Sequence, residues 1–279
     1  MRALRMAFAL CFSFFISMLL SAPAGVILPR YTPWLTLPGS YAQAAINKPS
    51  KPEPISIIYD EAPEVQPIVA DEKKLIALTF DDGPHSELTP MLLDGLKKRG
   101  VHATFFMLGS RVKGREHIVA RIVEEGHLIG NHGFSHLDYT KLSADSISAD
   151  VMKAADTIED AGGFRPWLVR PPYGNTNARV LSALAEPLIL WQVDPQDWLH
   201  RDAQKVSTIV LDRVRDGDIV LLHDIHESSI QAALIIVDVL TERGYTFVTV
   251  EQLYSLRGVD LTGGKRYFRA LPTPSTIAS

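Results

Sequence analysis

Short apolar runs alternate with longer amphipathic stretches from about residue 73 to residue 256. Residues 75–80, 127–130, 167–169, 188–193 and 219–222 are too short for helices and apolar enough for strands buried on both faces. Between them, apolar positions recur at helical spacing over 87–99, 115–125, 144–161, 178–185, 203–214 and 229–243. Gly100, Gly126, Gly162 and Gly244 come directly after four of these stretches, where a helix end favours a residue that tolerates positive φ. Ser143 is a candidate N-cap for the third. A strand over 245–250 and a short helix from Glu251 close the unit, and no internal repeat accompanies the pattern. Strand and helix in such alternation predict a parallel α/β sheet or barrel.

Each apolar run ends in polar residues, as regularly as the runs themselves recur. The first leads into Asp81-Asp82-Gly83-Pro84, the second into Asn131-His132 with His136 four residues on, and the third into Arg170. The fourth leads into Asp194 and then Asp197-Trp198, and the fifth into His223. Parallel sheets and barrels gather their active sites at the C-terminal ends of the strands, so the pattern predicts an enzyme. Adjacent aspartates on a strand face opposite sides and reach one site only where the strand breaks, which Gly83-Pro84 supplies. Two carboxylates so close repel unless a cation binds one of them, although the same dipeptides also make plain turns. His132-x-x-x-His136 spaces two imidazoles by one helical turn, as metal sites do, and nine histidines also allow such a pair by chance. Two imidazoles and a carboxylate would leave a position open for water or substrate, the arrangement of a hydrolytic Zn²⁺ site. Arg170 before two prolines also suits a rigid surface turn, Asp197-Trp198 a capping acid beside a buried aromatic, and His223 a core histidine. His85, His200 and His226 have no partner at informative spacing and are not read as ligands.

Five stretches carry a family resemblance: Thr79-Phe80-Asp81-Asp82-Gly83-Pro84-His85, Asn131-His132-Gly133-Phe134-Ser135-His136, Arg170-Pro171-Pro172-Tyr173-Gly174, Asp194-Pro195-Gln196-Asp197-Trp198 and Leu221-Leu222-His223-Asp224. In this order they resemble the motifs of the polysaccharide deacetylases of carbohydrate esterase family 4, the NodB homology domain, over roughly residues 73–256. The resemblance implies a distorted, incomplete (β/α) barrel of TIM-like type. It implies a metal-dependent hydrolase that removes N-acetyl groups from N-acetylglucosamine-type glycans. Asp81 would be the catalytic base that activates the attacking water, with Arg170 orienting it and keeping it ionised. Asp82, His132 and His136 would hold the metal, Zn²⁺ first, with Co²⁺ or another first-row metal as alternatives. The backbone N–H of Tyr173 would help hold the developing oxyanion, His223 would be the general acid, and Asp197 would fix its tautomer and raise its pKa. Trp198 and Leu221 would shape the pocket for acetyl group and sugar. One residue departs from the family pattern: Gly133 stands where Ser or Thr is usual, which removes a small hydrogen bond expected to steady the loop. Peptidoglycan is the expected substrate, with chitooligosaccharide, poly-N-acetylglucosamine or acetylated xylan as alternatives. An inactive glycan-binding protein would have lost a ligand, base or acid, and none is missing.

The N-terminus changes the setting. Arg2 and Arg5 precede an apolar stretch that ends at Ala22-Pro23-Ala24, so residues 1–24 read as a cleavable signal peptide, with an uncleaved membrane anchor as the alternative. Cleavage would leave 26 Lys and Arg against 32 Asp and Glu, a mildly acidic chain with no footprint for nucleic acid. Cys11, the only cysteine, would leave with the signal, so no disulfide is expected in the mature chain. Prolines recur through residues 25–72, an expected linker, and residues 257–279 are expected to form a loose or surface-bound tail. A monomer secreted to the periplasm or cell envelope is the setting these features predict.

Overall fold

The computed structural model describes residues 73–271. The expected signal peptide or anchor with Cys11, the Pro-rich extension and the last eight residues lie outside the described residues. Among the described residues no helix is long and apolar enough to cross a membrane.

Four parallel strands form the regular part of the wall: β1 (Lys74–Asp81), β2 (Thr104–Met107), β3 (Leu128–Asn131) and β5 (Asp218–His223), in the order β3-β2-β1-β5. β6 (Tyr245–Phe247) pairs with β1 at residues 74–76, below the stretch of that edge where β2 pairs. The rest of the ring is irregular. Val169 bridges Asn131 on one side and Leu188 on the other, and Val193 bridges Val220 on β5. The predicted run 167–169 is thus reduced to a single bridging residue, and 188–193 to the two-residue β4 (Leu188–Ile189). Pro166, Pro171, Pro172, Pro187 and Pro195 bound these segments, and proline cannot donate to a ladder. The result is an α/β barrel closed through isolated bridges.

Burial divides β1 with a period of two. Ile76, Leu78 and Phe80 pack outward in one core cluster with Leu92, Leu96, Val119, Ile236 and Leu240, while Leu75 and Ala77 face a second, inner cluster with Phe106, Leu168, Ile189 and Ile219. Outer helices supply the first cluster: α1 (Leu88–Lys98), α2 (Glu116–Glu124), α3 (Ala144–Gly162), α6 (Ala203–Arg213) and α7 (Glu227–Glu242). The six-residue α4 (Ala178–Ala183) and the single turn α5 (Asp197–His200) lie in the connections on either side of β4, and α8 (Val250–Leu256) comes after β6. Ser143 caps α3 by accepting from the Ser146 N–H. Gly100, Gly126 and Gly244 take positive φ, but α3 runs through Gly162, and it is Gly163 at φ 68° that ends it.

Two elements were not foreseen. β2 carries no chemical group at its end, which is Leu108-Gly109, so the pattern of strand-end polar residues passes over it. The segment 257–271, expected to be loose or surface-bound, is bound. Its β7 (Arg266–Tyr267) pairs in parallel with β4, Ala270 is buried, and the Ala270 N–H donates to the Gly217 carbonyl at 2.8 Å. Arg269 reaches Asp218 at 3.3 Å. A chain truncated after Gly258 loses these contacts while keeping every strand-end polar residue. Its melting temperature is expected to fall by roughly 10 °C, since about 3–5 kcal/mol is lost and each kcal/mol moves a domain of this size by about 2–4 °C; a calorimetric melt equal to that of the full chain would show the segment to be dispensable.

Candidate active site

The inward alternation of β1 continues past Ala77 to Thr79 and Asp81, both buried. Below Asp81, inside the barrel, lies the guanidinium of Arg170, with no exposed surface at all. Its Nη1 donates to Asp81 Oδ1 at 2.6 Å and to Thr79 Oγ1 at 2.8 Å, Nε to the Ile189 carbonyl at 3.0 Å, and Nη2 to the Leu190 carbonyl at 3.1 Å. The plane of the group stacks over Phe106, 4.0 Å from the ring centre. Burial pulls the Arg170 pKa down, and the charge of Asp81 opposes it. One carboxylate oxygen of Asp81 is therefore held, and the other, Oδ2, faces His132 Nε2 at 3.7 Å.

Asp82, His132 and His136 converge above this pair. Asp82 Oδ1 lies 3.3 Å from His136 Nε2 and 3.6 Å from His132 Nε2. The ligand atoms of all three fall within 4.8 Å of one another, and no other trio of His, Cys, Asp or Glu among the described residues does so. His132 Nδ1 lies 2.7 Å from the Arg170 carbonyl. A carbonyl only accepts, so the proton sits on Nδ1 and Nε2 offers a lone pair. Burial, with the neighbouring His132, lowers the His136 pKa and favours its neutral form. Asp82 Oδ1 is itself buried and accepts no hydrogen bond. The Asp82 oxygen thus faces the two Nε2 atoms across gaps of 3.3–3.6 Å. Those gaps match the edge of about 3.4 Å in a tetrahedron of ligands about 2.1 Å from a zinc-sized ion. The trio fits a divalent metal ion. The spacing of four does not act through a helix, however: residues 132–136 form a loop, with Gly133 at φ 80° and His136 at φ 54°. Left-handed residues cannot continue a helix, and they turn both rings to one point by a different path. Asp82, also left-handed at φ 72°, marks where β1 breaks.

On the other side of Asp81 stands His223, its register partner on β5. The Asp197 carboxylate accepts from His223 Nδ1 and from its backbone N–H, each at 2.8 Å, and from the Ser229 hydroxyl at 2.5 Å. Burial works to lower the His223 pKa, but the hydrogen bond and charge of Asp197, with Asp81 and Asp82 behind them, outweigh it and push it up to about 9. Asp197 in turn is held below the usual carboxylate range: burial raises it, and His223 and Ser229 more than offset that.

A cavity of about 480 Å³ opens over these groups, lined by Asp81, Asp82, His132, His136, Tyr173, Trp191, Asp194, Trp198, Leu221 and His223. Every site residue expected from the sequence either lines it or, as with Arg170 and Asp197, is fully buried behind one that does. Tyr173 comes after Pro171-Pro172 in a left-handed turn at φ 62°, mostly exposed, with its ring edge-on to His136. Trp198 is half exposed at the rim. A larger cavity of about 780 Å³ lies elsewhere, between Trp167, β6 and α8, away from the metal-capable trio. His85 accepts from the N–H groups of Glu87 and Leu88 at the start of α1, and His226 pairs with Arg201, so neither joins the trio. Two contributors were not singled out in the sequence. Trp191 lies within the apolar run 188–193, and Ser229 acts through a contact distant in sequence, for which no local signal exists; Thr79 and Asp194 stand in recognised stretches, where no role was assigned to them.

Asp224 also lies beneath the site. It is fully buried and accepts from the Thr89 hydroxyl, and burial pushes its carboxyl up to about 7. Gly83 packs directly on that carboxyl group, where a Cβ would overlap it.

Comparison with known proteins identifies the family of the chain. The chain matches the polysaccharide deacetylase family over residues 69–187. It is 40% identical to the peptidoglycan-N-acetylglucosamine deacetylase PgdA of Listeria monocytogenes over 225 residues, 81% of this chain and 46% of that protein. It is 43% identical to the peptidoglycan-N-acetylmuramic acid deacetylase PdaC of Bacillus subtilis over 189 residues, 68% of this chain and 40% of that protein. The solved structure of PdaC superposes with a TM-score of 0.66 at 42% identity, covering 67% of this chain and 93% of that structure. A family 4 acetyl xylan esterase from Clostridium thermocellum, solved in complex with a cobalt ion, superposes with a TM-score of 0.68 at 34% identity, covering 72% of this chain and all of that one. The chain spans less than half the length of the two peptidoglycan deacetylases.

Different losses are expected from the two neighbouring aspartates. Asp82→Ala should weaken Zn²⁺ binding at least a hundredfold, measured by chelator competition, because it removes a ligand. Asp81→Asn should leave Zn²⁺ affinity within a few-fold and instead destabilise the fold by about 3–5 kcal/mol, because it strands the buried Arg170 charge. The reverse pattern would exchange the two assignments.

Proposed function

We propose that this chain, which belongs to the polysaccharide deacetylase family, is a metal-dependent hydrolase that removes acetyl groups from the N-acetyl sugars of peptidoglycan. The observation that carries the reading is a carboxylate and an imidazole on adjacent strands, each hydrogen-bonded to its own buried partner, beside a trio of side chains that could hold a metal. Asp82, His132 and His136 would hold the ion, Zn²⁺ by their donor chemistry, with Co²⁺ or another first-row metal as alternatives. Bound there, a divalent ion polarises the acetyl carbonyl and makes water more acidic. Asp81, with Oδ1 committed to Arg170, keeps Oδ2 to take the proton of the attacking water. The Tyr173 N–H serves the developing oxyanion. His223, charged near neutral pH through Asp197, gives its proton to the departing sugar nitrogen, which is a poor leaving group until protonated. Leu221 and Trp198 bound the space for the acetyl methyl and the sugar.

Peptidoglycan as substrate rests on the names of two relatives, one for each of its amino sugars. It is consistent with residues 1–24 acting as an export signal or an anchor to the cell envelope. The test is acetate release, measured by mass spectrometry, from peptidoglycan, chitooligosaccharides and acetylated xylan. Peptidoglycan should be turned over fastest, with the new free amine on glucosamine or muramic acid identifying the sugar. Faster release from xylan would replace the amidase reading by an esterase.

The acid's partner predicts a pH dependence. His223 acts when protonated, and its raised pKa keeps it so up to about pH 9. Activity in the wild type should therefore fall only as pH rises through about that value. Asp197→Asn removes the carboxylate that raises the pKa and leaves burial, which lowers it, so the alkaline limb should move down to about 6.5 or below. Profiles of kcat/KM from pH 5 to 10 measure this, and a limb that does not move would show that His223 is not the titrating acid.

A further inference from the structure

The loop that carries both histidines is fastened along most of its backbone. The His132 N–H donates to the Met107 carbonyl, the Gly133 N–H to the Asn131 side chain, and the carbonyls of Gly133 and Phe134 accept from Gly109 and Ser110. One fastening comes from outside this neighbourhood. Asp150 on α3 accepts through Oδ2 from the Phe134 N–H at 2.9 Å and from the Tyr139 hydroxyl at 3.0 Å. Tyr139 is completely buried, and burial and the adjacent Asp150 push its pKa up, so the phenol keeps its proton and donates.

We propose that Tyr139 and Asp150 are positioning residues that hold the loop 132–136 in ligating geometry, and that residue 133 is glycine because their polar atoms fill the space its side chain would take. The proposal rests on the reading of Asp82, His132 and His136 as a metal site. A Cβ built on Gly133 would overlap the Tyr139 hydroxyl and lie 2.7 Å from Asp150 Oδ2. The φ of 80° at Gly133 is strained for any side chain as well. Tyr139 and Asp150 touch neither substrate nor metal in this role; they act through Gly133 and Phe134, two of the three residues between the ligands.

The experiment measures Zn²⁺ affinity by competition with a chromogenic chelator and the melting temperature of the metal-free protein, for the wild type, Tyr139→Phe, Gly133→Ala and the double variant. Tyr139→Phe should weaken Zn²⁺ binding about tenfold, the scale of losses behind a metal's immediate ligands. Gly133→Ala should weaken it further, since the new methyl meets the hydroxyl. The double variant should bind more tightly than Gly133→Ala alone, because removing the hydroxyl vacates the methyl's place and frees Asp150 to rotate. If Tyr139→Phe lowers the melting temperature but leaves Zn²⁺ affinity at the wild-type value, Tyr139 is a core anchor only and the proposal fails. A double variant no better than Gly133→Ala overturns the account of the glycine. A wild type that binds no Zn²⁺ overturns the metal-site reading and this proposal with it, whereas tight binding unchanged across all variants overturns this proposal alone.

Discussion

The ion pair between Arg170 and Asp81 is the constraint around which the site is built. A guanidinium with no exposed surface would be prohibitive in an apolar barrel without partners, and here a carboxylate, a hydroxyl and two backbone carbonyls receive its donors. Those partners come from β1 in the regular sheet and from residues 189–190 in the irregular stretch of wall. The Arg170 carbonyl then accepts from His132, so the same residue sets the orientation of Asp81, the proposed base, and the tautomer of a metal-ligand candidate. Regular ladders are sparse on this side of the barrel, and the buried guanidinium does there what strand pairing does between β1, β2, β3 and β5.

Above Arg170 the charges are arranged against themselves. Asp82 Oδ1 is buried without a donor, and His132 Nε2, 3.6 Å from it, carries a lone pair. A protein rarely leaves a buried acceptor facing other acceptors, because each gives up its water for nothing in return. A cation resolves the conflict, and the backbone has been bent to create it. Asp82, Gly133 and His136 all sit at positive φ, where β1 breaks and along the loop that brings the two imidazoles to the carboxylate.

The sequence carried this site further than it carried the fold around it. Each motif residue lies at a strand end or on a loop leaving one, and its chemistry is visible in its own side chain, so Asp81, His132, Arg170, Asp197 and His223 could be found locally. The barrel wall could not. β2 is as apolar as its neighbours, but it ends in Leu108-Gly109, and β7 is two residues with a polar sequence that pairs only because β4 offers an edge. The spacing of His132 and His136 suggested a helical turn, and the right convergence arose from a loop instead, because spacing fixes separation along the chain and not the path. Gly162 and Gly163 show the same limit on a smaller scale: either could end α3, and packing decided between them. Buttresses such as Ser229 on Asp197 or Asp150 on the histidine loop depend on contacts many residues away, and nothing near them in sequence announces the partner.

The acid and base proposed, His223 and Asp81, are neighbours across the β1–β5 ladder. The barrel gives each a different partner on the side away from the cavity: Arg170 beneath Asp81, Asp197 behind His223. Both partners are fully buried, so water does not screen them, and both are held by further hydrogen bonds, so they do not move with the substrate. These partners occupy the closed interior, and the cavity is open, with its rim of Tyr173 and Trp198 exposed. Under the proposed function, changes at that rim alter which glycan is held without moving the buried partners below. A barrel with its active site at the strand ends makes this division available, because every strand offers one face to the sealed core and its last residue to solvent.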